Sequence, residues 1–295
     1  MVIKMDRINI NITSNYVGKT IKEFLKENNI GRGKVESIRV NKQAMINDVI
    51  CSLETKLSLN DCVSFIIDEE VDFVPLKETL EVVYEDDYIL IVNKPSNMII
   101  HPDDKSKSGT LANLVANYYK ENKINRKVRY IHRIDKETTG IVVFAKDFIS
   151  EARLLKDLEN NKLVRSYLAF VEGKIKNKKG TINAPIGQDR HINNKMCVSS
   201  TGKNAITHYQ VIEEYDDFTL VKFELETGRT HQIRVHAKHI NHPLLGDVVY
   251  GGNYQYINRV ALHSYEVRLT HPITKKELKI NCDLPSDMKK IKKVK

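Results

Sequence analysis

The chain has few cysteines, and none of them stand close together. Cys51, Cys62, Cys197 and Cys282 are widely separated, and no C-x-x-C pair occurs in the 295 residues. This spacing excludes a zinc ribbon and a thioredoxin-type redox motif, because both need paired cysteines. Isolated thiols fit a reduced, cytoplasmic compartment, and we expect the protein there.

Long apolar runs are also missing. No stretch approaches the roughly 18 apolar residues of a membrane helix. The start, MVIKMDRINI, lacks the continuous apolar segment of a signal peptide. We therefore expect neither a secretory leader nor a membrane partner. Since no Walker A loop and no G-x-G-x-x-G turn occurs, the sequence indicates no nucleotide cofactor.

Basic residues, in contrast, are abundant. The chain has 47 Lys and Arg against 38 Asp and Glu, a formal net charge of +9, and 41% hydrophobic residues, enough to build a core. A basic excess fits RNA, DNA or an anionic membrane surface, although a merely soluble basic protein has the same composition. The membrane surface is disfavoured because no basic amphipathic helix of useful length is present.

The charge is unevenly distributed along the chain. In residues 1–60, Lys and Arg outnumber Asp and Glu, whereas in residues 61–90 Asp and Glu strongly predominate. The run Asp68-Glu69-Glu70 and the break at Pro75 predict two domains, 1–75 and 76–295, joined by a solvated acidic connector.

Apolar spacing predicts helices and strands in both parts. Ile21, Phe24 and Leu25 have the spacing of one face of a helix, and Asn28–Gly31 is predicted to cap the C-terminal end of that helix. The segment Gly173–Lys203 is predicted to be a mobile hairpin or loop, and the tail Asp287–Lys295 is predicted to be disordered. The other predicted elements are helices at Lys34–Arg39, Gly109–Tyr119 and after the N-cap Asp147, and strands at Met45–Asn47, Val63–Ile67, Tyr88–Pro95, Tyr167–Val171, Ala205–Ile212 and Thr219–Leu225.

The most informative stretch is HRIDKETTG, residues 132–140. A basic pair precedes Asp135, two hydroxyls and a glycine follow it, and the apolar run Ile141–Ala145 comes next. A charged cluster beside a buried strand is typical of a catalytic site, although a solvated turn before a strand has the same composition.

HRIDKETTG resembles the HRLD-x-x-TSG signature of the RluA family of pseudouridine synthases. The resemblance implies an enzyme that isomerises uridine to pseudouridine within RNA, without metal or other cofactor, on a mixed, mostly antiparallel sheet. The chain architecture is similar to that of members acting on large-subunit ribosomal RNA. Four further segments resemble the family in its own order: EDDYILIVNKPSNMIIHP (85–102), KLVRSYLAFVEG (162–173), KNAITHYQV (203–211) and ETGRTHQIRVHAKHINHPLLGD (226–247).

The same resemblance implies roles for four residues. Asp135 would be the catalytic carboxylate, Tyr167 would stack on the target uracil, and Arg234 would keep Asp135 ionised. Arg133 would enter the RNA where the uridine leaves. The alternatives are a turn-capping Asp135, a core Tyr167, a surface Arg234 and a phosphate-contacting Arg133; Glu137 is the rival carboxylate.

Residues 1–75 resemble the small alpha-L RNA-binding domain named after a ribosomal small-subunit protein, which makes the expected fold α+β in both domains. A generic α+β module is the alternative. In that family two short helices present basic residues to structured RNA, here Lys22, Lys26, Arg32, Lys34 and Arg39.

Three histidines, His236, His239 and His242, have a spacing that raises the question of a metal site. On a helix the first and last diverge by about 240°, so we expect no metal, and a metal-dependent hydrolase is disfavoured. Two alternatives stay open: an inactive ribosome-associated RNA-binding protein, and a synthase acting on tRNA. We expect a monomer whose partner is ribosomal RNA, free or in the pre-ribosomal large subunit.

Overall fold

The computed structural model describes residues 6–102, 108–192 and 195–292. Within these ranges the helices are α1 (Ile21–Glu27), α2 (Arg32–Val40), α3 (Leu111–Glu121), α4 (Phe148–Glu159), α5 (Gln232–His239) and α6 (Ser286–Ile291). The strands are β1 (Arg7–Asn11), β2 (Ala44–Ile46), β3 (Val49–Ile50), β4 (Cys62–Ile66), β5 (Glu81–Glu85), β6 (Ile89–Lys94), β7 (Arg129–Tyr130), β8 (Thr139–Ala145), β9 (Val164–Glu172), β10 (Lys179–Asn183), β11 (Ile186–Gln188), β12 (Met196–Val198), β13 (Ile206–Glu214), β14 (Phe218–Leu225), β15 (Leu262–Thr270) and β16 (Glu277–Asn281). In the described part of the chain, no helix combines the length and apolar character needed to cross a membrane.

The first four strands form an antiparallel sheet in the order β1-β4-β2-β3, packed against α1 and α2. Helix α1 begins with a capping box between Thr20 and Glu23. It ends as the sequence predicts, with Asn28 at the C-cap and Asn29 at a φ of 58°. Helix α2 begins at Arg32, slightly earlier than predicted. Whether residues 1–75 form a separate alpha-L domain stays a prediction.

The remaining large sheet runs in the order β10-β13-β14-β9-β15-β8-β6-β5, with β16 beside β15 and β7 beside β8. Among the described pairings, β8 with β15 is parallel and the others are antiparallel. The expected mixed, mostly antiparallel sheet is therefore confirmed. Strands β6 and β8 are continuous apolar runs because both faces are covered, one by α3 and the other by α4.

The predicted disordered tail is wrong over the residues that the structure describes. Residues 286–291 form α6, because Met288 and Ile291 lie three apart and bury on one side against Phe170. Arg259 also donates two hydrogen bonds to Asp287, at 2.7 and 2.9 Å. The intervening lysines concealed this spacing; residues 293–295 lie outside the described residues.

The segment 173–203 was predicted as a mobile hairpin or loop. It contains a hairpin, β11 paired with β12, and also β10, which extends the large sheet beside β13. The loop alternative is therefore wrong for the described residues, which exclude 193–194. The prediction missed β10 because most of its side chains are polar. β10 is an edge strand, and buried and exposed residues alternate only weakly along it.

The acidic connector is solvated at Asp68 and Glu70, as expected, but not at Glu69. The Glu69 side chain is only 7% exposed and accepts a 2.6 Å hydrogen bond from Arg129. Nearby, Phe148 and Ile149 of α4 pack into the core that lies beneath the four-stranded sheet, with Phe148 against Phe65. Arg153 of α4 donates a 2.6 Å hydrogen bond to Asn28. Packing and ion pairs thus fix the N-terminal part to the rest of the chain.

Candidate active site

A cleft of about 1090 Å³ is lined by the segment after β7, by β9, and by the end of β14 with the start of α5. Four residues chosen from the sequence line it together: Arg133, Asp135, Tyr167 and Arg234. They come from three separate stretches of the chain, so the fold assembles them. Arg133 is exposed, and one guanidinium nitrogen lies 3.4 Å from Nε2 of His101.

Asp135 lies in the connection between β7 and β8. Its side chain is 26% exposed toward the cleft. The connection is held close to the sheet by Gly140, whose φ is 106° and whose missing Cβ would lie 2.2 Å from the Ser264 carbonyl oxygen. Only glycine permits this approach, and Ser264 pairs in register with Tyr167. The glycine of HRIDKETTG therefore brings Asp135 and Tyr167 to the same place.

Arg234 links two carboxylates. One guanidinium nitrogen lies 3.6 Å from Oδ2 of Asp135, and two others donate to the buried Asp247 at 2.7 and 2.8 Å. Burial acts against the charge, but the hydrogen bonds and charge of Asp247, together with Asp135, raise the pKa of Arg234. The guanidinium also lies 5.1 Å from the ring centre of Tyr250. Arg234 is therefore a fixed cation beside Asp135 and not a surface arginine.

Tyr167 is both a core residue and a cleft residue. It packs among apolar side chains that include Ile233 and Leu262, yet it also lines the cleft. Burial raises the pKa of Tyr167, against the charge of Arg165 and with that of Asp135. The side chain therefore stays a neutral phenol whose ring position is fixed by packing.

The turn before α5 sets the position of Arg234. Gln232 accepts hydrogen bonds from the Arg229 amide and the Thr227 hydroxyl, at 3.0 and 2.8 Å. Its amide nitrogen donates to Thr207 at 2.9 Å, which ties the helix to β13. His231 adopts a left-handed backbone at φ 56° and lies 3.0 Å from the Tyr250 hydroxyl. Thr227, Arg229 and Gln232 of TGRTHQ therefore hold the start of α5, and with it Arg234, in position.

Sequence reasoning missed Asp247 and Lys94. Lys94 is fully buried and donates to the carbonyl oxygens of Pro95, Met98 and Lys136, at 2.8, 2.8 and 3.0 Å. Burial lowers the pKa of Lys94 to about 7, although Asp135 acts in the opposite direction. Both residues stand in segments that resemble the family, VNKP and HPLLGD. Without the fold, a lysine ending a strand and an aspartate after a glycine indicate only exposed turns.

The basic residues chosen near the N-terminus do not line the cleft. Lys22, Lys26, Arg32 and Arg39 are exposed. Lys34 differs, because its ammonium lies 3.6 Å from Glu69 and 4.7 Å from the ring centre of Phe148. It is directed toward α4. Of the four exposed residues, Lys22 pairs with Glu54 and Arg39 with Glu36.

Two of the three histidines are engaged in the fold, and His239 is exposed. His236 is buried, with Nδ1 2.8 Å from the Thr207 hydroxyl and Nε2 2.9 Å from the Ala184 carbonyl oxygen. Nδ1 of His242 lies 2.8 Å from the carbonyl oxygen of Glu172. Across residues 6–102, 108–192 and 195–292, no group of three potential ligands is arranged around a metal position. The histidine spacing therefore gives no support to a metal-dependent hydrolase.

Comparisons with known proteins identify the family. The sequence model of the RNA pseudouridylate synthase family matches residues 88–239, which contain Asp135, Tyr167 and Arg234. The chain is 41% identical to the RNA pseudouridine synthase YhcT of Bacillus subtilis over 258 residues, 87% of this chain and 84% of that protein. It is 33% identical to the ribosomal large subunit pseudouridine synthase D of Escherichia coli (strain K12) over 296 residues, 94% of this chain and 90% of that protein.

A solved structure shows the same fold. The human RNA Pseudouridylate Synthase Domain Containing 1 superposes with a TM-score of 0.59 and 26% sequence identity, over 70% of this chain and 84% of that one. The chain therefore belongs to the RluA family of RNA pseudouridine synthases, and it is an enzyme of the isomerase class.

Proposed function

We propose that the protein isomerises specific uridines of large-subunit ribosomal RNA, with Asp135 as the catalytic carboxylate. The observation that carries the proposal is the cleft in which Arg234 lies 3.6 Å from Asp135 and Tyr167 lines the same wall. The choice of RNA is supported by the similarity to ribosomal large subunit pseudouridine synthase D, which extends over 94% of the chain. We further propose that the enzyme is a cytoplasmic monomer.

The geometry supports a division of roles. Arg234 places a positive charge 3.6 Å from the Asp135 carboxylate. The carboxylate either attacks the anomeric carbon of the sugar or removes a sugar proton to give a glycal. The N-glycosidic bond breaks, the uracil rotates, and its carbon 5 bonds to the anomeric carbon. Carbon 5 then loses its proton and N1 carries one, so that the product is an isomer of the substrate. The target nucleotide must first leave its stack to reach Asp135. The ring of Tyr167 would retain the uracil between the two bond changes.

Chemical mapping of pseudouridine in cells with and without the protein tests this function. We expect specific sites in large-subunit ribosomal RNA to disappear with the protein and to return with the wild-type chain. They should not return with Asp135→Asn. Sites lost only from tRNA would overturn the ribosomal substrate, and an unchanged map would favour an inactive RNA-binding protein.

The reaction is expected to need no metal. Both ring nitrogens of His236 are already hydrogen-bonded, and the sequence has no nucleotide-binding loop. We expect pseudouridine formation to continue at the wild-type rate after extensive dialysis against a chelator, with no nucleotide added. Loss of activity on chelation and recovery with zinc would contradict this expectation.

Substitutions of Tyr167 are expected to separate its ring from its hydroxyl. Leucine removes the face that stacks on uracil and should weaken RNA binding by about 1–3 kcal/mol. Phenylalanine keeps that face and should bind nearly as the wild type does. Single-turnover rates at saturating protein complete the test. A phenylalanine variant that binds but reacts slowly would assign the hydroxyl to proton transfer, whereas wild-type behaviour of both variants would leave Tyr167 as a core residue.

The exposed basic residues of α1 and α2 are expected to contact phosphate. We expect Lys22→Gln, Lys26→Gln and Arg32→Gln in one chain to reduce the slope of log affinity against log salt by roughly 0.7–0.9 per lost contact. Deleting the whole N-terminal part would be a poorer test, because it uncovers Phe148. An equal change per charge removed in a Lys120→Gln, Lys123→Gln control would show that the effect comes from net charge alone.

A further inference from the structure

Arg165, in β9, is a buried cation without a counter-charge. It is 7% exposed, its Nε atom has no hydrogen-bond partner, and it lines the cleft. Among the described residues, no ion pair joins it to a carboxylate. Most other buried arginines are paired with acids, such as Arg234 with Asp247 and Arg129 with Glu69. Arg153 instead donates hydrogen bonds to the neutral oxygens of Asn28 and Pro272. An unmatched buried guanidinium is unfavourable in the free protein, and a bound anion would compensate its charge.

The surroundings of Arg165 are prepared for a ligand. Two further cleft residues have buried polar atoms without partners, Nδ1 of His132 and the hydroxyl of Thr138. Burial lowers the pKa of His132 to about 3, with a smaller effect of Arg165 in the same direction, so this imidazole is neutral and supplies no counter-charge. Gly228 leaves space for the guanidinium, because a Cβ there would lie 3.2 Å from its Nη1 atom.

The position of Arg165 relative to Tyr167 indicates which part of the RNA it meets. The two residues are separated by one residue of the same strand, so their side chains share a face at a spacing of about 6.6 Å. If the ring of Tyr167 holds the uracil, a group on the same nucleotide or its immediate neighbour reaches Arg165. That group must offset a full positive charge, which the neutral uracil oxygens do not. Phosphate does so, and its oxygens match the fork of a guanidinium.

We propose that Arg165 binds one of the two phosphates that flank the target uridine, and so holds the extruded nucleotide against Tyr167. The proposal rests on the function proposed above, and it names a contact beyond the Asp135, Tyr167 and Arg234 group. Of the two other residues with unpartnered groups, His132 lies near enough to Arg165 for its pKa to be affected by that charge, and both line the same cleft. Arg165 is a substrate-binding residue in this scheme and takes no part in proton transfer.

The test is a cycle between protein and RNA variants. The probe is an RNA oligonucleotide containing a uridine that the mapping identifies, with either flanking phosphate replaced by an uncharged methylphosphonate. At one of the two positions, the replacement should weaken binding to the wild type on the order of 10- to 100-fold, the range for hydrogen bonds to charged groups. Arg165→Gln should bind the unmodified RNA equally weakly and lose little more on the replacement, because the interaction is already absent.

Two controls make the result specific. Arg165→Lys keeps the charge and should recover part of the affinity and of the response to methylphosphonate. Arg268→Gln removes an exposed arginine of β15 that does not line the cleft, and should respond as the wild type does. Thermal melting identifies a variant that has lost its fold, in which case the lysine variant completes the cycle.

The outcomes separate this proposal from the proposed function. The phosphate contact would be overturned if each methylphosphonate weakens RNA binding to Arg165→Gln and Arg165→Lys as much as it weakens binding to the wild type. This holds even if the wild type forms pseudouridine normally. A wild type that forms no pseudouridine in the unmodified RNA would overturn the function. In that case the binding measurements still show whether Arg165 contacts a phosphate, because measuring RNA affinity does not require the reaction to occur.

Discussion

Asp135→Asn is expected to reduce isomerisation by at least three orders of magnitude, about 4 kcal/mol of activation free energy. Asparagine keeps the shape of the side chain but has neither its charge nor its ability to act as nucleophile or base. The fold and RNA binding should be retained, because Arg234 keeps its two hydrogen bonds to Asp247. Release of tritium from carbon-5-labelled uridine measures the reaction.

A neighbouring carboxylate provides the matched control. Glu137 is two residues away and half-buried, and its backbone carbonyl accepts a 3.2 Å hydrogen bond from Ser96. Glu137→Gln leaves that backbone contact intact and should preserve activity. If Asp135→Asn stays within about tenfold of the wild-type rate, roughly 1.4 kcal/mol, Asp135 is not the catalytic group.

Asp247→Asn is expected to cost both stability and activity. The Asp247 side chain is fully buried and is the closest partner of the Arg234 guanidinium. Breaking a buried, hydrogen-bonded ion pair by removing one partner costs up to about 3–5 kcal/mol. The Arg234 charge would keep only Asp135, at 3.6 Å, as a counter-charge. Arg234 would also lose the contact that aims it at Asp135. Urea unfolding measures the free energy, and tritium release measures the activity.

The pair of Arg259 with Asp287 serves as the control for this prediction. It has the same two-hydrogen-bond geometry, at 2.7 and 2.9 Å, but the Asp287 side chain is 44% exposed. Because exposed ion pairs contribute only about 0–1 kcal/mol, Asp287→Asn should be mild. Equal losses of unfolding free energy in the two variants would show that Asp247 does not hold a buried charge in place.

The sequence determined those features that depend on neighbours along the chain. Apolar residues at helical spacing gave the buried face of α1, and Asp147 accepts the predicted cap bonds from the Ile149 and Ser150 amides, at 2.9 and 2.8 Å. Continuous apolar runs predicted β6 and β8. The family motifs selected Asp135, Tyr167 and Arg234, which the structure places at one cleft; their catalytic roles stay predictions.

Tertiary structure alone decided which charged groups are buried and what they contact. Glu69 accepts a hydrogen bond from Arg129, 60 residues further along the chain. This residue of the acidic connector is therefore held in a buried ion pair. Asp247 lies 13 residues from Arg234, far enough that only the fold shows the pairing. Arg165 has a sequence context typical of an exposed strand end, yet the fold buries it without a partner. Local patterns record spacing along the chain, whereas the free energy of a charge depends on solvent and partners that distant segments supply.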